Sequence, residues 1–278
     1  MSALRERRAH GKYWKAAPAA AAACLALAAL AGCAGKVPGQ EERLEWIRKA
    51  YGNLAEASGY RYRAEISYSF PEMDETTRAR LAAAIPSSLR LEGEVQQSQG
   101  DYRQHAVGTG AGGKLELYVI GGISYRKEGE GGWTATDTAA YRLNISNLYF
   151  MAPEDFESML SFAGDIDLVE DSEQRLVLSF KVGSEYLLSS LEKSRELYAS
   201  EEQLQDYETL YGIMRNAETE VSSRIYRSNG YLERQDITIR LPDTPLLGTV
   251  VMEVSNEFFS YGEALNIELP PEAAEAAP

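Results

Sequence analysis

Tyr60-Arg61-Tyr62-Arg63-Ala64-Glu65-Ile66-Ser67-Tyr68-Ser69-Phe70 alternates without a break. Successive side chains of an extended chain point to opposite faces. Tyr60, Tyr62, Ala64, Ile66, Tyr68 and Phe70 therefore share one face, and Arg61, Arg63, Glu65, Ser67 and Ser69 the other. One face asks for a core and the other for water. The same alternation returns along the chain. Leu89, Leu91, Gly93 and Val95 alternate with Arg90, Glu92 and Glu94, and residues 101–107 form a weaker third strand. Leu115, Leu117 and Val119 run up to Gly121-Gly122, and Ile123, Tyr125 and Lys127 continue beyond. A glycine pair between alternating runs suits a two-residue hairpin with positive φ.

Residues 128–132 read as a second turn, with Trp133 opening the next strand. Residues 166–170 and 175–182 form a hairpin around Asp171-Ser172-Glu173. Residues 218–227 meet 231–241 across Asn229-Gly230, the strongest short hairpin signal in the chain. After Pro242-Asp243-Thr244-Pro245, the residues Val250, Met252 and Val254 alternate along a last long strand.

Helical periods interrupt this pattern in a few places. Leu44, Ile47, Tyr51 and Leu54 define a short amphipathic helix ended by Ser58-Gly59. Residues 72–85 read as a helical excursion stopped before Pro86. Residues 153–164 form a helix with Phe156, Met159, Leu160 and Ala163 as its buried stripe. Residues 184–216 are helical in two pieces, with Ser200 and Gln203 as a capping box. Leu187, Leu191, Leu197, Leu204, Tyr207, Tyr211 and Met214 supply the apolar stripes. The fold class is α+β: about eleven strands in one large curved antiparallel sheet, an unclosed half-barrel, with helices packed on the concave side. Such a sheet wraps something apolar, either its own helices or a ligand.

The other organising stretch is Leu30-Ala31-Gly32-Cys33, at the end of an alanine-rich run. Residues 2–15 are basic, and 16–30 are apolar but too short to span a bilayer comfortably. A small-small-Cys ending reads as a lipobox, with residues 1–32 a cleaved lipoprotein signal peptide and Cys33 the point of lipid attachment. A diacylglyceryl group anchors stably because each buried CH₂ contributes about 0.8 kcal/mol and two chains suffice where one does not. Residues 33–40 are then the lipidated cysteine and a Gly/Pro-containing tether, residues 41–270 a single domain, and the Ala/Glu/Pro segment 271–278 a disordered tail. The expected location is extracytoplasmic, on the cell membrane, or on the outer membrane if the host has two.

The chain has 28 Lys+Arg and 42 Asp+Glu, and residues 1–32 carry five of the basic residues and one of the acidic. Cleavage leaves 23 and 41, a net charge of −18. That balance disfavours nucleic acid, whose binders gather Lys and Arg on one face. It also leaves anchoring to the covalent lipid. Of the two cysteines, Cys24 lies in the cleaved segment and Cys33 is acylated, so no disulfide and no cysteine-based metal site is expected.

Parity along the strands nominates a candidate hydrophobic cavity on the concave face: Tyr62, Ile66 and Tyr68; Leu117 and Val119; Leu178 and Phe180; Ile237 and Ile239; Val250, Met252 and Val254. The same residues serve equally as ordinary core beneath helices. With 17 Tyr against 7 Phe, aromatic hydroxyls are available to half-wet surfaces. The run Gly108-Thr109-Gly110-Ala111-Gly112-Gly113 leads into a strand rather than a helix, so it reads as a hairpin loop and not a phosphate cradle. His105 is the one histidine after processing. No catalytic set is assembled around it, and no enzyme activity or cofactor is expected. Asp165, Asp167, Glu170 and Asp171 lack the spacing of a calcium loop and read as solvated turn carboxylates. Asn144-Ile145-Ser146 matches a glycosylation sequon without meaning in a lipobox-processed protein.

Two segments resemble the LolA/LppX-like bacterial lipoprotein superfamily. LELYVIGGISYRKEGEGGWTATD, residues 115–137, is similar to a central hairpin that turns at glycine, presents a Tyr, turns again and presents a Trp. NEFFSYGEALNIELP, residues 256–270, is similar to a closing segment of aromatics, Tyr-Gly and an Ile-x-x-Pro exit. The resemblance implies a half-open barrel, covering roughly 41–270, whose concavity carries or shields a lipid or other hydrophobic ligand. A different reading of the same scaffold is an envelope protein–protein interaction module with a filled core.

Overall fold

The structure is a computed structural model and describes residues 38–77, 88–98, 101–110, 113–137, 153–192, 195, 201–244 and 247–276. The targeting segment, the lipobox and Cys33 lie outside the described residues, as do most of the 72–85 excursion, the 144–146 sequon, Leu197 and Ser200.

Helix α1, Gln40–Glu56, opens the domain, and its apolar residues Ile47, Ala50, Tyr51 and Leu54 are buried at three- and four-residue spacing. Its last turn closes through Ala57 N–H to Asn53 O (3.1 Å), and the Gln97 amide caps the Leu54 carbonyl at 3.2 Å. Six strands follow as a meander: β1 Gly59–Ser69, β2 Ser88–Ser98, β3 Asp101–Gly110, β4 Gly113–Ile120, β5 Ile123–Glu128 and β6 Thr134–Asp137. Helix α2, Pro153–Leu160, leads into β7 Ala163–Asp171 and β8 Arg175–Val182. Helices α3, Glu185–Glu192, and α4, Glu201–Met214, precede β9 Glu218–Tyr226, β10 Leu232–Thr244 and β11 Gly248–Phe259, and α5 is Pro271–Ala274.

All eleven strands form one antiparallel sheet in the order β6-β5-β4-β3-β2-β1-β11-β10-β9-β8-β7. The sheet is not closed: it is two meanders joined where the alternating strand β1 pairs with the last strand, β11. Register carries the alternation from strand to strand. Ile66, Val254, Ile237, Val221, Phe180 and Ile166 stand side by side across β1, β11, β10, β9, β8 and β7, each less than 5 % exposed. Burying each such side chain contributes roughly 1.5–3 kcal/mol. Helix α1 packs over β7, β9 and β10 and against α2, while α4 packs over β10 and against α3. We call this covered side the inner face.

The outer face is laced with charge. Arg63 pairs with Glu92 and Arg90 with Glu65, each at 2.9 Å across neighbouring strands. Pairs this exposed contribute at most about 1 kcal/mol each, so they keep the face wet rather than hold the sheet.

Several local expectations needed correction. The helix expected over 153–164 ends at Leu160, because Ser161 and Phe162 turn back onto Ser158 and Met159, and Ala163 begins β7. The Asn229-Gly230 turn is longer than a two-residue loop: Tyr226 N–H reaches Tyr231 O, Gly230 takes φ +76, and Asn229 Oδ1 accepts from Tyr231 N–H. Leu204, expected in an apolar stripe, is 40 % exposed. The tail expected to be disordered instead contains α5, whose Ala273 is fully buried: Pro271 starts the turn and the Pro270 carbonyl accepts from Ala273 and Ala274. The Gly121-Gly122 hairpin forms as its sequence predicts, with φ of +60 and +78 between the paired Ile120 and Ile123. Gly110 pairs with Gly113, so the glycine-rich run is a hairpin.

Candidate functional site

Because the side-chain period of a strand is two, register decides which residues meet the helices. Tyr62, Ile66 and Tyr68 of β1, Leu117 and Val119 of β4, Leu178 and Phe180 of β8, Ile237 and Ile239 of β10, and Val250, Met252 and Val254 of β11 all fall on the inner face. The structure brings them to one side but not to one place. Leu178, Phe180, Ile237 and Val254 are buried in the β7–β11 half, and Ile66 of β1 is buried beside Val254 at the junction of the two meanders. Leu117 and Val119, on the opposite meander, are buried as well. Tyr62 lies between: its ring rests over Gly93, and its hydroxyl accepts from the Gln104 amide, which in turn accepts from Tyr102 at 2.9 Å.

Tyr68, Ile239, Val250 and Met252 line an apolar cavity of about 20 Å³ together with Leu241 of β10, Leu187 of α3 and Met214 of α4. That space is on the order of one water molecule, and its apolar lining offers water no partner. Two helix residues complete it, so the cavity sits at the seam between layers rather than within the sheet. The strand alternation alone did not name Leu187 and Met214 as lining. Their place in the helical stripes was the available signal.

Beside this apolar ground runs a polar stripe that the sequence reading missed. Asn256, Gln235 and Ser223 are neighbours across β11, β10 and β9 on the inner face, each no more than 5 % exposed. Tyr51 of α1 meets them: its hydroxyl lies 3.1 Å from Ser223 Oγ and accepts from Gln235 Nε2 at 2.8 Å. Burial pushes the Tyr51 hydroxyl up to about 12, with the two hydrogen bonds pulling the other way. The ring stacks on Phe156 of α2 at 5.0 Å. The signal for the stripe was present, since a polar residue at an inward parity position of a strand requires a partner from another layer.

At the cavity's end of the sheet, Glu72 accepts from the Thr249 hydroxyl at 2.7 Å and from its N–H at 3.2 Å, which holds the carboxyl below its ordinary value. His105 lies on the outer face, stacked on Tyr118 at 4.3 Å between Glu94 and Glu116. Burial and those two carboxylates push the Tyr118 hydroxyl up to about 12. Among the acidic residues of β7, Asp171 pairs with Arg227. No cluster able to hold a metal ion is found among the described residues, and no helix among them is long and apolar enough to cross a membrane.

No protein-family model and no curated protein matches the sequence. Among solved structures, the chain is similar to the lipoprotein LppX of Mycobacterium tuberculosis, with a TM-score of 0.48 and 10% identity, over 83% of this chain and 100% of that one. It is similar to LprF of Mycobacterium bovis at 0.45 and 10%, over 84% and 99%. A LolA superfamily protein from Nitrosomonas europaea follows at 0.29 and 9%, over 84% and 96%. These likenesses stand at 9–10% identity, and the chain itself shows an eleven-stranded, unclosed antiparallel sheet with helices on one face.

Proposed function

We propose that this protein is an extracytoplasmic, non-enzymatic lipoprotein, anchored through a lipid on Cys33, that binds a lipid or other hydrophobic ligand between the inner face of its sheet and the α3–α4 layer. The observation that carries this reading is the wholly apolar cavity where Leu187 and Met214 meet Tyr68, Ile239, Leu241, Val250 and Met252. Helix side chains, not strand backbone, form its roof. A shift of α3 and α4 therefore opens it without breaking a ladder of sheet hydrogen bonds. At about 20 Å³ the cavity is the closed form, and an acyl chain enters only as the helices part.

The same small volume supports a second reading: the core stays filled, and the acidic scaffold contacts another envelope protein. Full-length protein extracted from membranes separates the two. Lipid that co-purifies in native mass spectrometry and is released by solvent is the expected result. A clean apo mass, with no displacement of a hydrophobic fluorescent probe, sinks the ligand reading and leaves the interaction module. The anchor is checked independently: labelled palmitate enters the wild-type chain and not Cys33→Ser, and equal labelling of both removes Cys33 as the attachment point.

A further inference from the structure

Among the described residues, the inner face beneath the helices carries two buried oxygens without a hydrogen-bond partner, Thr219 Oγ1 and Gln235 Oε1. Thr219 is 4 % exposed and Gln235 fully buried. They lie on adjacent strands, β9 and β10, to either side of the Val221–Ile237 pair. A buried polar atom left unsatisfied destabilises the fold, and valine has nearly the shape of threonine without the hydroxyl. Thr219 is therefore suited to a partner that the described residues do not supply.

Position says where that partner comes from. Thr219 stands directly opposite Ile239, and the row continues through Met252 to Tyr68. Ile239, Met252 and Tyr68 all line the apolar cavity, and Met214, at the end of α4 just before β9, lines it too. The unsatisfied hydroxyl is thus one strand away from the space an acyl chain would enter. The sheet around it is uncharged: across the rows of Thr219, Val221 and Ser223, the inner positions of β8–β11 are Val182, Phe180, Leu178 and their neutral partners on β10 and β11, and the nearby carboxylate of Glu185, beside Gly183, carries the same sign as an anionic ligand. A carboxylate or phosphate brought there would find no counter-charge on these rows and would bear the full cost of its desolvation.

We propose that Thr219 is the polar anchor of the lipid site and that the site selects an uncharged, hydroxyl-bearing acyl lipid, of the acylglycerol type, over a fatty acid anion or a bare hydrocarbon. This rests on the lipid-binding reading above and names the ligand class for the same site. The Thr219 hydroxyl both donates and accepts, so a single ligand hydroxyl satisfies it, and the acyl chain extends from there into the cavity.

The test is a competition on the full-length protein among monooleoylglycerol, oleate and 1-octadecene, with the bound species read by native mass spectrometry. The wild type retains monooleoylglycerol over 1-octadecene by about tenfold, the scale of one satisfied buried hydrogen bond, and excludes oleate. Thr219→Val brings the ratio to 1-octadecene close to one while its thermal midpoint holds or rises, because the unsatisfied hydroxyl is gone. Thr219→Ser keeps the wild-type preference and guards against a folding defect. A wild-type ratio preserved in Thr219→Val removes Thr219 as the anchor, as it would if the hydroxyl met only a buried water. A preference for oleate overturns the ligand class. A wild type that binds none of the three overturns the lipid-binding reading itself, and the anchor with it.

Discussion

The two meanders bury their inner faces by different means. In the β7–β11 half, large aliphatic and aromatic side chains stand up from the strands and meet a layer of helices. In the β1–β6 half, glycines let neighbouring side chains lie down. The Tyr62 ring occupies the space above Gly93, where an added Cβ would come within 2.4 Å of it. At Gly108 an added Cβ would come within 2.2 Å of the Arg90 carbonyl and 2.5 Å of Leu91. The first arrangement leaves a seam between two layers, and in the second the close contacts at Gly93 and Gly108 leave no room for an added atom. A seam between layers can part, and the proposed site is therefore under α3 and α4, where the apolar cavity lies.

The largest expected effect lies in the first half. Phe180→Ala removes a fully buried ring from the most crowded row and is expected to cost about 3–5 kcal/mol, read from the denaturant midpoint. By opening space in the core beneath the helices it also raises uptake of a hydrophobic fluorescent probe. Gly108→Ala is expected to cost less, about 1–3 kcal/mol, by forcing strands β2 and β3 apart, and to leave probe uptake unchanged. Equal gains in uptake from both variants would erase the distinction between the halves. Gly93→Ala costs less again, because the obstacle is the Tyr62 ring, which can swing away at the expense of its hydrogen bond to Gln104.

Much of this was legible in the sequence. Alternation at residues 60–70 and 250–254 dictated the inner face, and the glycine pair at 121–122 dictated a hairpin, because both depend on local geometry alone. That the first and last strands pair at the centre of the sheet was not legible, since no local signal records a partner nearly two hundred residues away. Helix ends failed for the same reason: Ala163 and Gly164 suit a helix terminus, yet pairing with β8 draws them into β7. The cavity was half-legible. Strand parity supplied Tyr68, Ile239, Val250 and Met252, whereas Leu187 and Met214 depend on how α3 and α4 settle on the sheet. The polar stripe was missed because Ser223 and Gln235 break the apolar alternation, and such a break carries information only once Tyr51 is known to lie opposite.

That stripe supplies the finest test of the layered half. Tyr51→Phe keeps the ring on Phe156 but leaves the Gln235 amide and the Ser223 hydroxyl without their partner, and is expected to cost about 1–2 kcal/mol near neutral pH. The cost depends on pH in a stated direction. The phenol ionises near 10 in an unfolded chain and about 12 in the folded protein, so the neutral form is the one the fold favours. Its contribution is complete below pH 10 and is lost as the pH rises through about 12. The wild type should therefore lose its advantage over Tyr51→Phe across that window, in paired chemical denaturation curves at successive pH values. Parallel curves would assign the cost to packing rather than to the hydroxyl. The middle of α1 would then be held by its apolar face, with its polar tethers at the ends, where Arg43 donates to the Ile166 carbonyl at 2.7 Å and Asn53 to that of Gly230 at 3.0 Å.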